Sequence, residues 1–363
     1  MQQTSIQVPK PQRTAGRTVG RICLRALAVL AAVLAALAAT LMLAMSMMCS
    51  DTFPSAQQVF VTTVLETGQL KFLASWFLSP EEIQAIVDEN SMQALDAEVD
   101  AGLIQIGAGG TGAGAAQADI EIQEVSGATF TGTMMIVKDP ARISLATIYP
   151  WRENGVSLDV LVQENDAVAG INGGLYNSYN NSGGSPYGVV VSHGEIQYNR
   201  PQDHVGLVLI GFTEENILQI IDLADMTADD VVRLVEEEHI RDAVTFQEES
   251  SDVNNHFVQL IINNEPREMN GMGSGLNPRT AIGQRADGTV LLFVTDGRGK
   301  SGHLGASSGD LVSVMQEFGA VNAANLDGGS SSCMYYNGEY LMTSVTFYHS
   351  NSSWKLPAGF IVK

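Results

Sequence analysis

The sequence predicts an α+β protein: a mixed β-sheet core with peripheral helices, preceded by an N-terminal transmembrane helix. Three observations carry that expectation. An uncharged apolar run extends from Ala26 to Met48, a Gly-rich break begins at Gly107, and beyond it short apolar runs alternate with turn dipeptides and a few capped helical patterns.

The apolar run comes first. Its 23 residues exceed the roughly 20 that a helix needs to cross a bilayer, and a cleaved signal has a shorter apolar core of about 7–15. Lys10, Arg13, Arg17, Arg21 and Arg25 precede it and no acid does, so the N-terminus is expected on the cytoplasmic side. Residues 1–25 then read as a cytoplasmic basic tail and 26–48 as an anchor. The implied location is a bacterial cell membrane, single-pass, with the C-terminal domain extracellular. The remainder carries 14 basic residues against 40 acids, a net −26. That balance argues against nucleic acid as a partner, because a binder of nucleic acid needs a basic face to displace counterions. Of Cys23, Cys49 and Cys333 only the last lies in the expected folded region, so there is no internal disulfide framework. An exported chain without one fits a bacterial surface better than a eukaryotic secretory route. No Cys/His cluster has zinc-ligand spacing.

Residues 49–106 read as a helical stalk. Ser79-Pro80-Glu81-Glu82 supplies a cap, a Pro at the first helical position and acids in the first turn, for a helix running to about Ala97. Residues 107–117 are a flexible linker by composition, which leaves 118–363 as the folded domain. Within it Thr129–Val137, Val205–Phe212, Phe257–Ile262, Thr280–Gln284, Thr289–Thr295 and Gly359–Lys363 read as strands. Gly188–Ser192 and Glu195–Tyr198 flank His193-Gly194, and Cys333–Tyr336 and Glu339–Met342 flank Asn337-Gly338, both hairpin signals. Thr213 reads as the cap of a helix over Glu214–Ile221, Thr227 as the cap of Ala228–Glu237, and Asp310–Phe318 as a third helix.

Four segments stand out, three of them setting Gly beside polar groups. Asn172-Gly173-Gly174 and Tyr176 follow an apolar strand; the paired glycines either admit a ligand to the backbone or make a tight turn. Arg279, in Asn277-Pro278-Arg279-Thr280-Ala281, is either a fork for a phosphate or half of a structural ion pair. Asp296 and Arg298 end the most apolar strand, with His303 after them in a Gly/Ser-rich stretch. Asp327, Gly328, Gly329, Ser330 and Ser331 crowd one carboxylate, two glycines and two hydroxyls before an apolar strand. A core tolerates that crowding only if a ligand or a network satisfies it.

Together Asn172-Gly173-Gly174, Asn277-Pro278-Arg279-Thr280-Ala281 and Asn325-Leu326-Asp327-Gly328-Gly329-Ser330-Ser331, in that order and strand context, resemble the phosphodiester glycosidase family. The resemblance covers roughly Thr129 to Lys363. It implies hydrolysis between a sugar anomeric carbon and a phosphodiester, with a phosphodiester-linked glycan as partner. It casts Asp327 as base or electrostatic stabiliser, Asp296 as the next carboxylate, and Arg279 as the phosphate fork. Gly328, Gly329, Ser330 and Ser331 would be further donors, and Asn172 a contact to a sugar hydroxyl or acetamido group. Gly173, Gly174, Tyr176, Arg298 and His303 complete the expected substrate site. No cofactor is required; a divalent cation at Asp327 stays open. Two alternatives remain. One is a non-catalytic glycan-binding module. The other is a serine hydrolase using Gly305-Ala306-Ser307-Ser308-Gly309 with Asp327 and His349, although Ser307 reads more simply as a helix cap.

Overall fold

The computed structural model describes residues 15–50, 52–68, 70–107, 119–344 and 352–363. Nearly all of the Gly-rich linker, the first 14 residues and His349 lie outside them. The chain divides into two compact units, residues 1–57 and 58–363.

The first unit is dominated by helix α1, Ala15–Met48. Val19–Met48 is long and apolar enough to cross a membrane, and none of it is buried within the protein. The helix starts ahead of the apolar run and takes in Arg17, Arg21 and Arg25, so the basic segment is helical from Ala15. Arginines at a span's end can keep their charge at the interface while their stems lie along the apolar surface.

The second unit starts inside helix α2, Pro54–Leu65, and continues through the short α3, Phe72–Ser75, and α4, Pro80–Glu89. Ser79 and Glu82 close a capping box on α4, which ends at Asn90 rather than near Ala97. This region is not a stalk, as the sequence suggested. Val61, Val64, Leu65, Ile83 and Val87 are buried, and Glu66 enters a buried ion pair with Arg279. Its apolar spacing therefore serves the domain core.

The strands follow in chain order: β1 Ile120–Ser126, β2 Thr131–Val137, β3 Ile143–Thr147, β4 Ala169–Asn172, β5 Gly188–Ser192 and β6 Glu195–Arg200. Then come β7 Leu207–Thr213, β8 Leu218–Asp222, β9 Ile240–Gln247, β10 Glu249–Ser250, β11 Asn255–His256, β12 Gln259–Ile262 and β13 Glu265–Pro266. The last are β14 Thr280–Arg285, β15 Val290–Thr295, β16 Ala320–Asn325, β17 Cys333–Tyr336, β18 Glu339–Thr343 and β19 Ala358–Val362. Helices α5 Leu158–Glu164, α6 Ala228–Glu237 and α7 Ser308–Glu317 interrupt them. The expected helix over 214–221 is instead the turn and strand of a hairpin, β7 with β8. Asn216 takes a left-handed φ of 65°, and Leu218 and Ile220 both turn into the core, the two-residue period of a strand.

One sheet has the order β1-β2-β15-β14-β16-β12-β13, a second β18-β17-β4-β19-β3, and a third β6-β5-β9-β7-β8. Every described pairing among these strands is antiparallel, for example β14 with β15 and β4 with β19. Alternation sorts the seven-stranded sheet. Met135, Val137, Ile282, Leu292, Val294 and Ala324 share a core with Ile171, Ile210, Phe212, Val244 and Phe360 of the other two sheets. Met134, Ile136, Ala281, Leu291, Phe293 and Ala323 pack on Leu311, Val312 and Met315 of α7. Burial on both faces is why Val290–Val294 is continuously apolar. The α+β class holds.

Removing one partner of a buried ion pair costs about 3–5 kcal/mol, because the other charge stays in the interior. Glu66→Ala in the full chain should therefore lower the urea midpoint strongly with an unchanged m-value. A near-native midpoint would show that Glu66 is dispensable.

Candidate active site

The antiparallel registers bring several strand ends to one edge. Thr280 at the start of β14 pairs with Val294 near the end of β15, and Ala281 pairs with Asn325 at the end of β16. Asn172 at the end of β4 and Cys333 at the start of β17 arrive from the second sheet.

Asn172 ties these ends together. Its Nδ2 donates to the backbone oxygen of Asp327 at 2.6 Å. Its Oδ1 accepts from Thr280 Oγ1 at 2.7 Å and from the Cys333 amide at 3.2 Å. The side chain is buried and committed, so Asn172 positions Asp327 rather than holding a sugar. Gly173 accepts from the Asp327 amide at 3.3 Å, and a Cβ on Gly174 would stand 2.3 Å from the Thr245 oxygen. Close packing, not a ligand, accounts for the paired glycines.

Asp327 is half-buried. Its Oδ1 accepts from the Gly328 amide at 2.9 Å. Burial pushes its carboxyl up to about 7; the Ser331 hydroxyl, the Gly328 N–H and the nearby Arg298 pull it back. The buried hydroxyl of Tyr176 lies 2.9 Å from Ser331 Oγ. Burial and the charge of Asp327 hold that phenol well above its ordinary value, so it stays neutral. Gly329 donates to the Pro278 oxygen at 2.8 Å. The two glycine N–H groups expected to face a phosphate are therefore already bonded within the protein.

Arg298 reaches the same cluster from the loop after β15. Its Nη1 donates to Ser330 Oγ at 2.6 Å and its Nε to Asn277 Oδ1 at 3.2 Å. Gly329 has φ +62°, a left-handed conformation that favours glycine, and a Cβ there would stand 2.5 Å from Arg298 Nη2, so a side chain would also displace the guanidinium. The same loop carries His303. Asp296 Oδ1 accepts from the Thr131 amide at 2.8 Å, and its Oδ2 lies 2.7 Å from His303 Nδ1. The loop closes on itself through Arg298 N to Leu304 O at 3.1 Å and Gly299 N to His303 O at 2.7 Å. The His303 side chain is 29% exposed, and Nε2 makes no hydrogen bond among the described residues. This is an imidazole oriented by a carboxylate with its second nitrogen available.

Arg279 resolves the other way from a phosphate fork. Its Nη2 pairs with Glu66 and donates to Ser274 Oγ at 2.9 Å and Gly275 O at 2.7 Å; its Nε donates to Ala306 O at 3.1 Å. The side chain is buried, and Glu66 also accepts from the Gly275 amide at 2.6 Å. Burial pushes the Glu66 carboxyl up to about 7 against the pull of Arg279. Asp327, Arg298, Ser330, Ser331 and Tyr176 thus form one cluster, with Asp296 and His303 on the loop that delivers Arg298. The side chain of Arg279 belongs to a structural pair. Glu66 and Ser274 were not singled out by the sequence; an acid at the end of an apolar helical run was the one signal for Glu66.

The Asp327 carboxyl is surrounded by a guanidinium, an N–H and hydroxyls, a set suited to an anion rather than a cation. Among the described residues no three His, Cys, Asp or Glu side chains gather as a metal site. Ser307 caps α7 in a reciprocal box with Asp310, its Oγ accepting from the Asp310 amide at 3.1 Å and lying 2.8 Å from Asp310 Oδ2. The hydroxyl is spent on the cap, which removes the support for a serine nucleophile.

Residues 165–363, more than half of the chain, match the phosphodiester glycosidase family, and the chain belongs to it. A curated relative, the SPbeta prophage-derived uncharacterized protein YomE of Bacillus subtilis (strain 168), is 42% identical over 65 residues, 18% of this chain and 10% of that protein. The match thus spans about a tenth of the relative's length. Among solved structures the chain is similar to the catalytic domain of zebrafish N-acetylglucosamine-1-phosphodiester alpha-N-acetylglucosaminidase, auto-inhibited by its pro-peptide. The TM-score is 0.47 and the identity 18%, over 69% of this chain and 85% of that one. It is also similar to a putative exported protein of Burkholderia pseudomallei K96243, with TM-score 0.42 and identity 14%, over 64% and 74% of the two chains.

Since Arg298 lowers the Asp327 value, Arg298→Met should raise the carboxyl's midpoint above about 7. Carbon-13 NMR titration of Asp-labelled protein reads this directly. A midpoint that stays put or falls would separate the two groups electrostatically.

Proposed function

We propose that the protein is a membrane-anchored, extracytoplasmic hydrolase that cleaves the bond between a sugar's anomeric carbon and a phosphodiester oxygen in a surface glycan. The observation that carries this reading is one cluster of the family's motifs: a half-buried Asp327 carboxyl titrating near 7 beside an Arg298 guanidinium seated on Ser330. Family membership supports the reaction class. The apolar α1 with basic residues on its N-terminal side supports the anchored placement.

In this reaction water attacks the anomeric carbon and the carbon–oxygen bond breaks. The electron pair leaves with the phosphate monoester, and a proton passes from the water to Asp327. The leaving group is a stabilised anion and needs less protonation than a sugar alkoxide. A single well-placed base and a cation on the phosphate therefore suffice, without the two carboxyls of many glycosidases. Arg298 supplies the cation and Ser330 a hydroxyl beside it. Asn172 fixes the backbone of Asp327, and Tyr176 holds Ser331 against its carboxyl. His303, oriented by Asp296, offers Nε2 to the phosphate or to a sugar hydroxyl.

A base works deprotonated, so kcat/KM for a sugar-1-phosphodiester should rise with pH through about 7 and level off above it. Asp327→Asn should lose about 10²- to 10⁴-fold and flatten that limb. Arg298→Met should cost about 10²- to 10³-fold. Assay of released reducing sugar across a panel of sugar-1-phosphodiesters checks all three. Full activity in a folded Asp327→Asn protein would end the assignment. Glycan binding with no sugar released would make the chain a binding module instead.

A further inference from the structure

The segment that joins α2 to α4 presents an apolar face that the fold leaves uncovered. Leu70, Phe72 and Trp76 are 45%, 47% and 58% exposed. Phe72 and Trp76 meet edge to face with ring centroids 5.0 Å apart. Ala74 and Leu78 on the same segment are buried and fasten it to the second unit, so the three large side chains point outward from a fixed base. Elsewhere in this unit exposed apolar side chains such as Tyr179, Val205 and Leu304 occur singly along the chain, as on any soluble surface.

We propose that the face made by Leu70, Phe72 and Trp76 rests on the outer leaflet of the bilayer that α1 crosses, holding the hydrolase domain against the membrane surface. The proposal depends on the anchored reading above. Three features select a lipid surface as the occupant. Trp partitions into the headgroup region, where its apolar ring body and its polar N–H are both satisfied, and Phe and Leu bury at the same boundary. From Thr67 to Ser79 the sequence contains no acid, although the chain has 40, so nothing in the segment itself repels anionic lipid. Its one charge, Lys71, is bonded to Asn254. The face also follows the apolar run closely in sequence, with Leu70 soon after Met48 at the end of α1. A site held against the bilayer would meet glycans close to their membrane attachment rather than free polymer.

The test uses the full chain reconstituted into vesicles whose lipids carry bromine high on the acyl chains, where it quenches tryptophan by contact. The protein has three tryptophans, Trp76, Trp151 and Trp354, and none in α1. Trp emission should fall in brominated vesicles relative to plain ones, and Trp76→Phe should abolish that loss. Phe72→Ser should weaken it while catalysis on a small soluble substrate stays unchanged. Flotation of the same vesicles reports insertion of α1 independently. If the chain does not float, the anchored reading fails and the proposal with it. If it floats and bromine quenches nothing, or quenches Trp76→Phe equally, the proposal alone is overturned. A Trp76 emission that is blue-shifted in the bilayer, insensitive to bromine and red-shifted on dilution would place a second copy of the chain on this face, and would overturn it too.

Discussion

The carboxamide of Asn172 is the joint on which the site depends. One side chain binds Thr280 of the seven-stranded sheet, Cys333 of the neighbouring sheet and the backbone of Asp327. It lies where the core cannot supply water, so each of these bonds must be made within the protein or left unsatisfied at a cost of about 1–3 kcal/mol. That constraint fixes the end of β16 against the end of β4. It determines where the Asp327 carboxyl can sit, half in solvent and half under Tyr176 and Ser331. The raised value near 7 is then a consequence of position: enough protein to penalise the charge, and enough donors to keep it accessible near neutrality.

The pairing of Arg279 with Glu66 is a second constraint of a different kind. A guanidinium in the interior with no counter-charge is too costly to keep, and a phosphate that comes and goes cannot hold the fold together between turnovers. Glu66, delivered by the turn after α2, supplies a partner built into the fold, and Ser274, Gly275 and Ala306 take up the remaining donors. The helices ahead of the family-matched region are thereby part of the same folding unit as the site, which agrees with a compact unit that begins at residue 58. Arg298, carried on the loop after β15 and bonded to Ser330, is left as the arginine of the Asp327 cluster.

What was legible in the sequence was what is local. Asn337-Gly338 and His193-Gly194 adopt left-handed φ values, 49° and 93° in one turn and 53° and 76° in the other, that only a few residue types accept, so those hairpins could be read directly. The caps at Ser79, Thr227 and Ser307 are likewise set by neighbours three residues away. The same local logic misread Thr213, because a Thr followed by acids opens a tight hairpin as readily as a helix. The motif residues were found, but their partners were not: Asn172 meets Asp327 across 155 positions and Arg279 meets Glu66 across 213. No period or composition encodes a pairing at that range. Which of the two arginines is sealed in an ion pair therefore required the packed structure.

The charge distribution completes the argument. Beyond residue 50 the chain is at −26, and the phosphate of the proposed substrate is negative too. At the roughly 8 Å screening length of physiological salt, charges farther than that from Asp327 contribute little there. Of the four basic residues in or beside the motifs, Arg279 is buried against Glu66 and Arg285 sits at the far end of β14, bonded to the Phe318 oxygen. Lys300 is held by the Thr343 oxygen. Arg298 is the one coupled to Asp327. A lone guanidinium in an acidic protein is a weak attractor for anions at large. For the proposed sugar phosphodiester it would be a selective one, because the neutral glycan brings the remaining contacts and free phosphate does not.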